Sequence, residues 1–275
     1  WVGREAQGRK YVWPAMFSDL CDEYERRYGL NYDHLMGISK INFENGRRNP
    51  NSQARNWKFT DKSFTADDEA NPVIDGWMRR QDCGQVTDGA AVVFLASEER
   101  AQQYAKERDI DIEELAVIRG WGHTTAPLMM ETKLEESRDQ DYVLPWTRKA
   151  ITDAYARAGI SGVEEVDAIE THDCFSITEY MAIEHFGITA PGEAWKAIED
   201  GRIAMDGSIP VNPSGGLIGL GHPVGATGVR MMLDSYRQVT DQAGDNQVEG
   251  ARTMATFNVG GSGTTNCSFV IGTAE

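Results

Sequence analysis

The chain has 275 residues, of which 40% are hydrophobic, and a net charge of −16. This length permits one large or two modest domains with a buried core. The excess of negative charge argues against nucleic acid and anionic membrane as partners. Four scattered cysteines without a CxxC pair indicate reduced thiols and no metal site. Reduced thiols are typical of a cytoplasmic protein, which is the location we expect, and no apolar run reaches the length of a membrane span.

Hydrophobic spacing predicts strands and helices in alternation. Residues 15–45 have helical periodicity, whereas residues 46–72 are polar and irregular. The apolar run 89–96 is typical of a buried strand and precedes a helix at 97–107. We then expect strand 115–120, helix 146–158, strand 164–170, helices 176–186 and 226–240, and strands 252–259 and 265–272 joined by the hairpin signal GGSG. This order predicts a layered α/β domain.

The glycine-rich segment NPSGGLIGLGHPVGATG spans residues 212–228. Glycine lets the backbone approach a ligand closely, so His222 in this segment is a candidate general base or oxyanion donor. A neutral imidazole suits either role near physiological pH. The alternative is a structural histidine, which is how we interpret His34, His123 and His185.

Cys174 lies in the segment THDCFSITE, which follows the strand-like VDAIE. Ser176 and Glu179 have the spacing of a capping box, which places the cysteine just before a helix. The positive end of the helix and a neighbouring histidine favour thiolate and are expected to lower the thiol pKa. Cys174 is therefore a candidate nucleophile or acid–base group, and the alternative is a buried structural cysteine.

Two further segments have features of binding sites. In FNVGGSG, at 257–263, glycines free backbone N–H groups to form an oxyanion site, or they make only the hairpin turn. Residues 40–62 contain six basic and two acidic residues in an otherwise acidic chain. This basic island suits a phosphate-bearing small ligand, and the alternative is salt bridges within the chain.

Together, HDCF, GHPVGATG and NVGGSG resemble, in this order, the motifs of the thiolase superfamily. The sterol-carrier-protein-type thiolases and the archaeal and bacterial acetyl-CoA acetyltransferases are the most similar branch, and QVTDGAA at 85–91 resembles their SDGAAA strand entry. The resemblance implies a thiolase-like layered α/β fold with an inserted loop domain, a complete C-terminal half and an N-terminal half largely missing. Residues 1–84 would be the loop domain that contacts coenzyme A (CoA), 85–108 the end of the N-terminal half, and 109–275 the C-terminal half.

The resemblance also implies roles for single residues. His222 would activate the nucleophile and help to form the thioester oxyanion hole, and His172 would contribute to that hole. Cys174 would be the acid and base, because Asn258 stands where many thiolases have that cysteine. Gly260 would supply a backbone N–H to a second oxyanion hole. CoA phosphates would meet the basic island at Arg47, Arg48, Arg55 and Lys58.

The implied function is an acyl-CoA C-acyltransferase that makes or cleaves a 3-ketoacyl-CoA. Its cysteine nucleophile would lie on a segment of about a hundred residues before Trp1, in the same protein. Alternatively, this segment would be a separate chain, or a natural truncation would have removed it together with the thiolase activity. CoA and acyl-CoA would be substrates, with no metal and no permanently bound cofactor. Alternatives are a carbon–carbon lyase of the aldolase type and a non-catalytic acyl-CoA-binding subunit. We expect a homodimer or higher oligomer, with a small OB-fold, zinc-bearing protein as a possible partner.

Overall fold

The structure is a computed structural model that describes residues 1–274. Its helices are α1 (Val2–Glu5), α2 (Val12–Tyr28), α3 (Tyr32–Arg48), α4 (Glu98–Arg108), α5 (Met130–Glu136), α6 (Pro145–Ala158), α7 (Ser176–Phe186), α8 (Ala194–Glu199) and α9 (Thr227–Val239). Its strands are β1 (Val73–Asp75), β2 (Met78–Arg79), β3 (Ala116–Thr125), β4 (Ala168–Thr171), β5 (Thr253–Gly260) and β6 (Thr265–Thr273). A π-helical turn spans Gly216–Leu220. This is the mixed α/β architecture expected from the sequence.

Four strands form the main sheet in the order β3-β6-β5-β4. The pairs β3–β6 and β5–β6 are antiparallel, and β4–β5 is parallel. The predicted hairpin is confirmed, with Gly260 opposite Thr265 at its end. Helix α6 packs against β3 and β6, and α9 packs against β5 and β6. Because β4 pairs with β5 and α9 packs against β5, the loop that follows β4 and the loop that precedes α9 lie close to each other.

The apolar core is continuous from the N-terminal helices to the sheet. Helix α7 is buried at every residue except Thr178, as expected of a helix surrounded by other elements. Phe17 of α2 stacks on Phe175, just before α7, with ring centroids 4.5 Å apart. Helices α2, α3, α6 and α7 share this core with β4–β6. The boundaries proposed at 84/85 and 108/109 stay predictions.

Of two sequence predictions within the N-terminal third, one differs from the structure and one is confirmed. The helical region 15–45 is two helices, because the chain breaks after Tyr28 and the Asn31 side chain caps α3 by accepting the Asp33 N–H at 3.0 Å. The irregular character predicted for 46–72 is confirmed between Asn49 and Asn71, where no helix or strand occurs in the described structure.

The strand predicted at 89–96 is wrong. These residues have no strand partner within residues 1–274, and Val92, Phe94 and Leu95 are 67%, 96% and 74% exposed. A strand exists only when its backbone groups are paired with a neighbour, and the described sheet offers none at this position. The apolar composition predicts a tendency toward burial, whereas pairing depends on which surface is adjacent.

No helix within residues 1–274 is long and apolar enough to cross a membrane. In the same residues, no group of three or more His, Cys, Asp or Glu side chains is arranged to hold a metal ion.

Candidate active site

Three of the predicted site residues meet where β4, β5 and the segment before α9 converge. His172, which follows β4, has its Nδ1 2.7 Å from Oδ1 of Asn258 on β5. The rings of His172 and His222 lie edge to face, with centroids 5.2 Å apart and planes at 90°. His222 is placed by backbone bonds with 85–87: its N–H donates to the Gln85 carbonyl at 3.0 Å, and its carbonyl accepts from the Thr87 N–H at 3.1 Å. Histidines 50 residues apart in sequence thus face one another.

Both imidazoles are held in the neutral state. Burial lowers the pKa of His172 to about 3, and the neighbouring His222 and Arg230 contribute in the same direction. Burial, together with the charge of Arg230, lowers the pKa of His222 to about 4. Nδ1 of His222 lies 2.8 Å from Oγ1 of Thr227, which fixes the ring while Nε2 is left for chemistry. Near neutral pH the pair can therefore donate or accept hydrogen bonds without carrying charge.

Cys174 differs from its sequence prediction. Burial raises the pKa of this thiol to about 12, against the lowering effect of Thr178. The expected stabilisation of thiolate is therefore wrong, because loss of solvation outweighs the partial charge at the start of α7. Cys174 is a protonated thiol at rest. Within residues 1–274, neither Cys174 nor Gly260 makes a hydrogen bond to either imidazole.

The predicted capping box is also wrong. Phe175 is the N-cap of α7, and no side chain caps it. Ser176 instead donates its hydroxyl to the buried Asp82 carboxylate. Glu179 accepts from Nδ2 of Asn42 at 2.6 Å and Nδ2 of Asn212 at 2.7 Å. Both side chains thus make long-range bonds that compete with the local cap.

A buried carboxylate fixes the approach to His222. Asp173 has no exposed surface and accepts from the backbone N–H groups of Leu217 at 2.6 Å and Ile218 at 3.0 Å. Nδ2 of Asn42 on α3 donates to the same carboxylate at 2.9 Å. Asp173 therefore connects the HDCF loop to the π-helical turn, and so sets the relative position of His172 and His222.

Glycine is required where this turn meets α3. A Cβ added to Gly219 would lie 1.9 Å from the Asn42 carbonyl oxygen, and one added to Gly46 would lie 2.3 Å from the Gly219 carbonyl oxygen. Two backbones are in direct contact, and no side chain fits between them. The glycines before His222 thus permit a helix to support the turn.

A second buried polar group lies beneath the histidines. Glu170 on β4 accepts from the Ser214 N–H at 3.0 Å and the Ser214 hydroxyl at 2.7 Å, and burial raises the pKa of Glu170 to about 7. Arg230 on α9 donates to Ser214 Oγ at 2.9 Å and to Asp234 at 2.7 Å. The sequence analysis did not identify these residues. The available signal was the acidic Glu170 within the strand-like stretch VDAIET.

The basic island is exposed and close to the glycine-rich segment. Ser52 Oγ donates to the Gly219 carbonyl at 2.8 Å, and the Gln53 N–H donates to the Leu220 carbonyl at 2.9 Å. The Arg47 guanidinium lies 5.5 Å from the Phe59 ring centroid. Lys62 of the island pairs with Asp67 at 3.0 Å, as the salt-bridge alternative expects. The predicted CoA-binding cations form no ion pair within residues 1–274; these cations are Arg47, Arg48, Arg55 and Lys58.

A groove of about 420 Å³ lies beside His222. Its walls are residues 87–91, which include the segment TDGAA, and residues 223–226 with Val229 of α9. Both walls are continuous with the backbone that holds His222. The groove adjoins the backbone on both sides of His222, whereas the side chains of His172, Cys174 and His222 do not line it.

The other histidines lie elsewhere. His34 Nε2 is 3.0 Å from Glu199, and buried His185 contacts the Met181 carbonyl through Nδ1. His123 is exposed on β3, opposite Cys267. Their structural role stays a prediction.

The helix-flanked mixed sheet with paired histidines at its loop end agrees with the thiolase-like α/β fold that the motifs imply. A family model described as "Thiolase C-terminal domain-like" matches residues 129–273. The chain therefore belongs to the thiolase C-terminal domain-like family.

Curated relatives are longer than this chain. An acetyl-CoA acetyltransferase of Methanothermobacter thermautotrophicus is 32% identical over 92% of this chain and 62% of its own length. Sterol carrier protein 2 of Gallus gallus is 31% identical over 90% of this chain and 43% of its own length. The chain thus spans less than two thirds of the length of each.

Solved structures share the fold. An Ltp2-ChsH2(DUF35) aldolase has a TM-score of 0.75 and 21% identity, covering 95% of this chain and 63% of that one. A monomeric SCP2-thiolase like protein type 1 from Mycobacterium smegmatis has a TM-score of 0.67 and 16% identity, covering 95% and 52%.

Proposed function

We propose that this chain forms the catalytic C-terminal part of a thiolase-type acyl-CoA C-acyltransferase, which makes or cleaves a 3-ketoacyl-CoA. The observation that carries this proposal is the edge-to-face pair of buried, neutral imidazoles, His172 and His222. Two neighbouring neutral imidazoles that each carry a proton on Nε2 would stabilise a thioester enolate oxygen. Relatives named acetyl-CoA acetyltransferase support the same reaction class.

Each imidazole needs a proton on Nε2 to donate to an oxyanion. In His222 this is so when the Thr227 hydroxyl donates to Nδ1. When that hydroxyl donates to the Pro223 carbonyl instead, 3.3 Å away, Nδ1 carries the proton and Nε2 is a base. His222 thus serves as base toward a thiol and as donor toward the enolate. For His172 to donate, the Asn258 amide must turn its Nδ2–H toward Nδ1.

In thiolysis, a cysteine thiolate outside the present sequence attacks the 3-keto carbon, and the C2–C3 bond breaks. The electron pair stays on the acetyl-CoA fragment as an enolate, whose oxygen accepts from His172 and His222. The Cys174 thiol, which burial keeps protonated by raising its pKa, then donates its proton to the enolate carbon. The Cys174 thiolate takes the proton of the CoA thiol, the CoA sulfur attacks the acyl-enzyme thioester carbon, and the nucleophilic cysteine leaves as thiolate, with the Gly260 N–H as donor to the thioester oxygen. Synthesis is the reverse, with Cys174 removing the α-proton.

The same proposal assigns the basic island to the substrate. Arg47 and Arg48 end α3, and Arg55 and Lys58 follow on the loop that contacts Gly219 and Leu220. Cations without an internal ion pair, placed beside the glycine-rich segment, suit the phosphates of CoA. The acidic remainder of the chain would limit binding of anions elsewhere.

A second candidate is a carbon–carbon lyase that cleaves a 3-hydroxyacyl-CoA. The structural neighbour named Ltp2-ChsH2(DUF35) aldolase favours it. Retro-aldol cleavage also leaves a thioester enolate, so the same histidines would serve, and no acylated cysteine is needed. A non-catalytic acyl-CoA-binding subunit would bind acyl-CoA and would cleave neither a 3-ketoacyl-CoA nor a 3-hydroxyacyl-CoA.

We also propose that the protein is a cytoplasmic homo-oligomer. Its proposed partner is a small OB-fold protein of the DUF35 type.

One assay separates these functions in the complete protein that carries this chain. Acetoacetyl-CoA is offered with and without CoA, and a 3-hydroxyacyl-CoA is offered without CoA. Cleavage that requires CoA, and that falls about 10²–10³-fold in His222→Ala, supports the transferase. CoA-independent cleavage of the hydroxyacyl compound would establish the lyase instead. Binding without either reaction would leave the non-catalytic subunit.

A further inference from the structure

Lys133 on α5 is a buried charged residue that the proposed mechanism does not use. Its side chain has no exposed surface, although lysine is seldom buried without partners. The ammonium group donates to the Leu128 carbonyl at 3.1 Å, to Oγ1 of Thr264 at 3.1 Å and to Oγ of Ser262 at 3.4 Å. An ammonium group has three donors, so all of them are used.

Two of these acceptors belong to the turn between β5 and β6, which has an unusual backbone. Gly261, Ser262 and Gly263 have φ values of 56°, 50° and 86°, so three consecutive residues are left-handed. Ser262 is not glycine and is buried, and such a conformation persists only where its surroundings hold it. The side-chain bonds from Lys133 to Ser262 and Thr264 supply that support.

The far side of the turn is fixed by the backbone. The Ala126 N–H donates to the Thr264 carbonyl at 2.8 Å, and the Thr264 N–H donates to the Gly261 carbonyl at 3.0 Å. Ala126 follows β3, and Lys133 lies on the next helix, so one short stretch of chain supports the turn at two points. Gly260 is the last residue of β5 and immediately precedes the turn.

We propose that Lys133 is a positioning residue for the second oxyanion site: its ammonium group fixes the 261–264 turn and thereby directs the Gly260 N–H. The proposal rests on the function proposed above, because it takes Gly260 as the donor to the acyl-enzyme thioester. The Gly260 N–H binds the oxygen of the acyl-enzyme thioester, whereas the histidine pair binds the oxygen of the enolate. Lys133 does not touch the substrate and acts only through the direction of one backbone group.

This role predicts a change that a purely structural lysine would not cause. Loss of a transition-state donor lowers kcat and leaves ground-state binding of CoA unchanged, so KM stays constant. A lysine that only stabilises the fold would instead lower the amount of folded protein. The folded fraction would keep its kcat.

The test replaces Lys133 with methionine, which has similar length and no donor, in the complete protein. The exposed Lys149 of α6, whose Nζ lies 2.9 Å from Asp153, provides the matched Lys149→Met control. Amide hydrogen exchange at Thr264 is followed by NMR, and thiolysis of acetoacetyl-CoA is measured on the same samples. For Lys133→Met we expect at least tenfold faster exchange at Thr264, a kcat about 10- to 100-fold lower and a KM within about twofold. The control should match the unmodified protein.

Ser262→Ala is the second variant, since it removes one acceptor and leaves the lysine bonded to Leu128 and Thr264. Ser262→Ala should lower kcat by a smaller factor than Lys133→Met does. This variant keeps the proposal testable if Lys133→Met fails to fold. Unchanged exchange in the turn, or faster exchange with unchanged kcat, overturns the proposal. If the unmodified protein has no thiolysis, the proposed function fails and this oxyanion role fails with it. The exchange data then show separately whether Lys133 holds the turn.

Discussion

Gly219→Ala is the substitution whose effect follows most directly from the geometry. Gly219 lies in the π-helical turn, and its φ is outside the left-handed region, so alanine is compatible with the backbone itself. The added Cβ, however, would stand 1.9 Å from the Asn42 carbonyl oxygen and 2.9 Å from the Phe43 nitrogen. These are backbone atoms of α3, which cannot rotate away as a side chain would.

The size of the effect can be worked from that distance. A close carbon–oxygen contact is about 3.3 Å, so the turn and α3 must separate by about 1.4 Å. Overpacking of this kind costs about 1–3 kcal/mol of unfolding free energy. The separation also moves the segment that ends at His222, and a misplacement of about 1 Å can lower turnover about 10²-fold. Both stability and activity should therefore fall.

Gly3→Ala is the control, at a glycine of α1 that lies outside the groove beside His222. A Cβ there would meet nothing within 4 Å, so its unfolding free energy should change by no more than about 0.5 kcal/mol. Urea unfolding at pH 7 and thiolysis of acetoacetyl-CoA measure the two effects. A Gly219→Ala protein with the stability and turnover of the control would refute the argument that backbone contact with α3 positions His222.

Three further predictions concern other parts of the molecule. Thr227→Val removes the partner of His222 Nδ1 and should lower kcat about tenfold or more, whereas Thr227→Ser should retain most activity; equal kcat values would contradict this. Arg55→Glu combined with Lys58→Glu should weaken CoA binding about 3- to 10-fold by calorimetry, with Lys149→Glu as control, and an unchanged affinity would exclude these cations from the site. Burial raises the pKa of Glu184 from 4.5 to about 7, so the folded state binds this proton more tightly than the unfolded state does. The stabilising effect of protonated Glu184 is full below about pH 4.5 and is lost as pH rises to about 7. Between pH 5 and 8 the unmodified protein should therefore lose about 2–3 kcal/mol more unfolding free energy than Glu184→Gln does. Parallel curves of unfolding free energy against pH would contradict this.

The features that the sequence predicts correctly are local ones. Helix α7 and the β5–β6 hairpin follow from periodicity and from GGSG, because their hydrogen bonds join residues close in the chain. The meeting of His172 and His222 was implied by the motif resemblance, and their catalytic roles stay predictions. No spacing in the sequence would place two residues so far apart in contact.

The wrong predictions depend on distant partners. Glu179 has capping-box spacing but bonds to Asn42, which is 137 residues away. Cys174 precedes a helix, yet its pKa is set by burial among residues from other elements. The run 89–96 is apolar enough for a strand, but no strand of the described sheet pairs with it. Asp173 and its contacts were missed for the same reason.

The central claim is that this site forms and protonates the enolate of an acyl-CoA. Deuterium incorporation at C2 of acetyl-CoA in D₂O, followed by NMR with the complete protein, measures that step without the rest of the reaction. We predict exchange catalysed by the unmodified protein, with at least 10²-fold slower exchange in Cys174→Ala and in His222→Ala. Exchange that persists at the unmodified rate in both variants, or no exchange in the unmodified protein, would contradict the account.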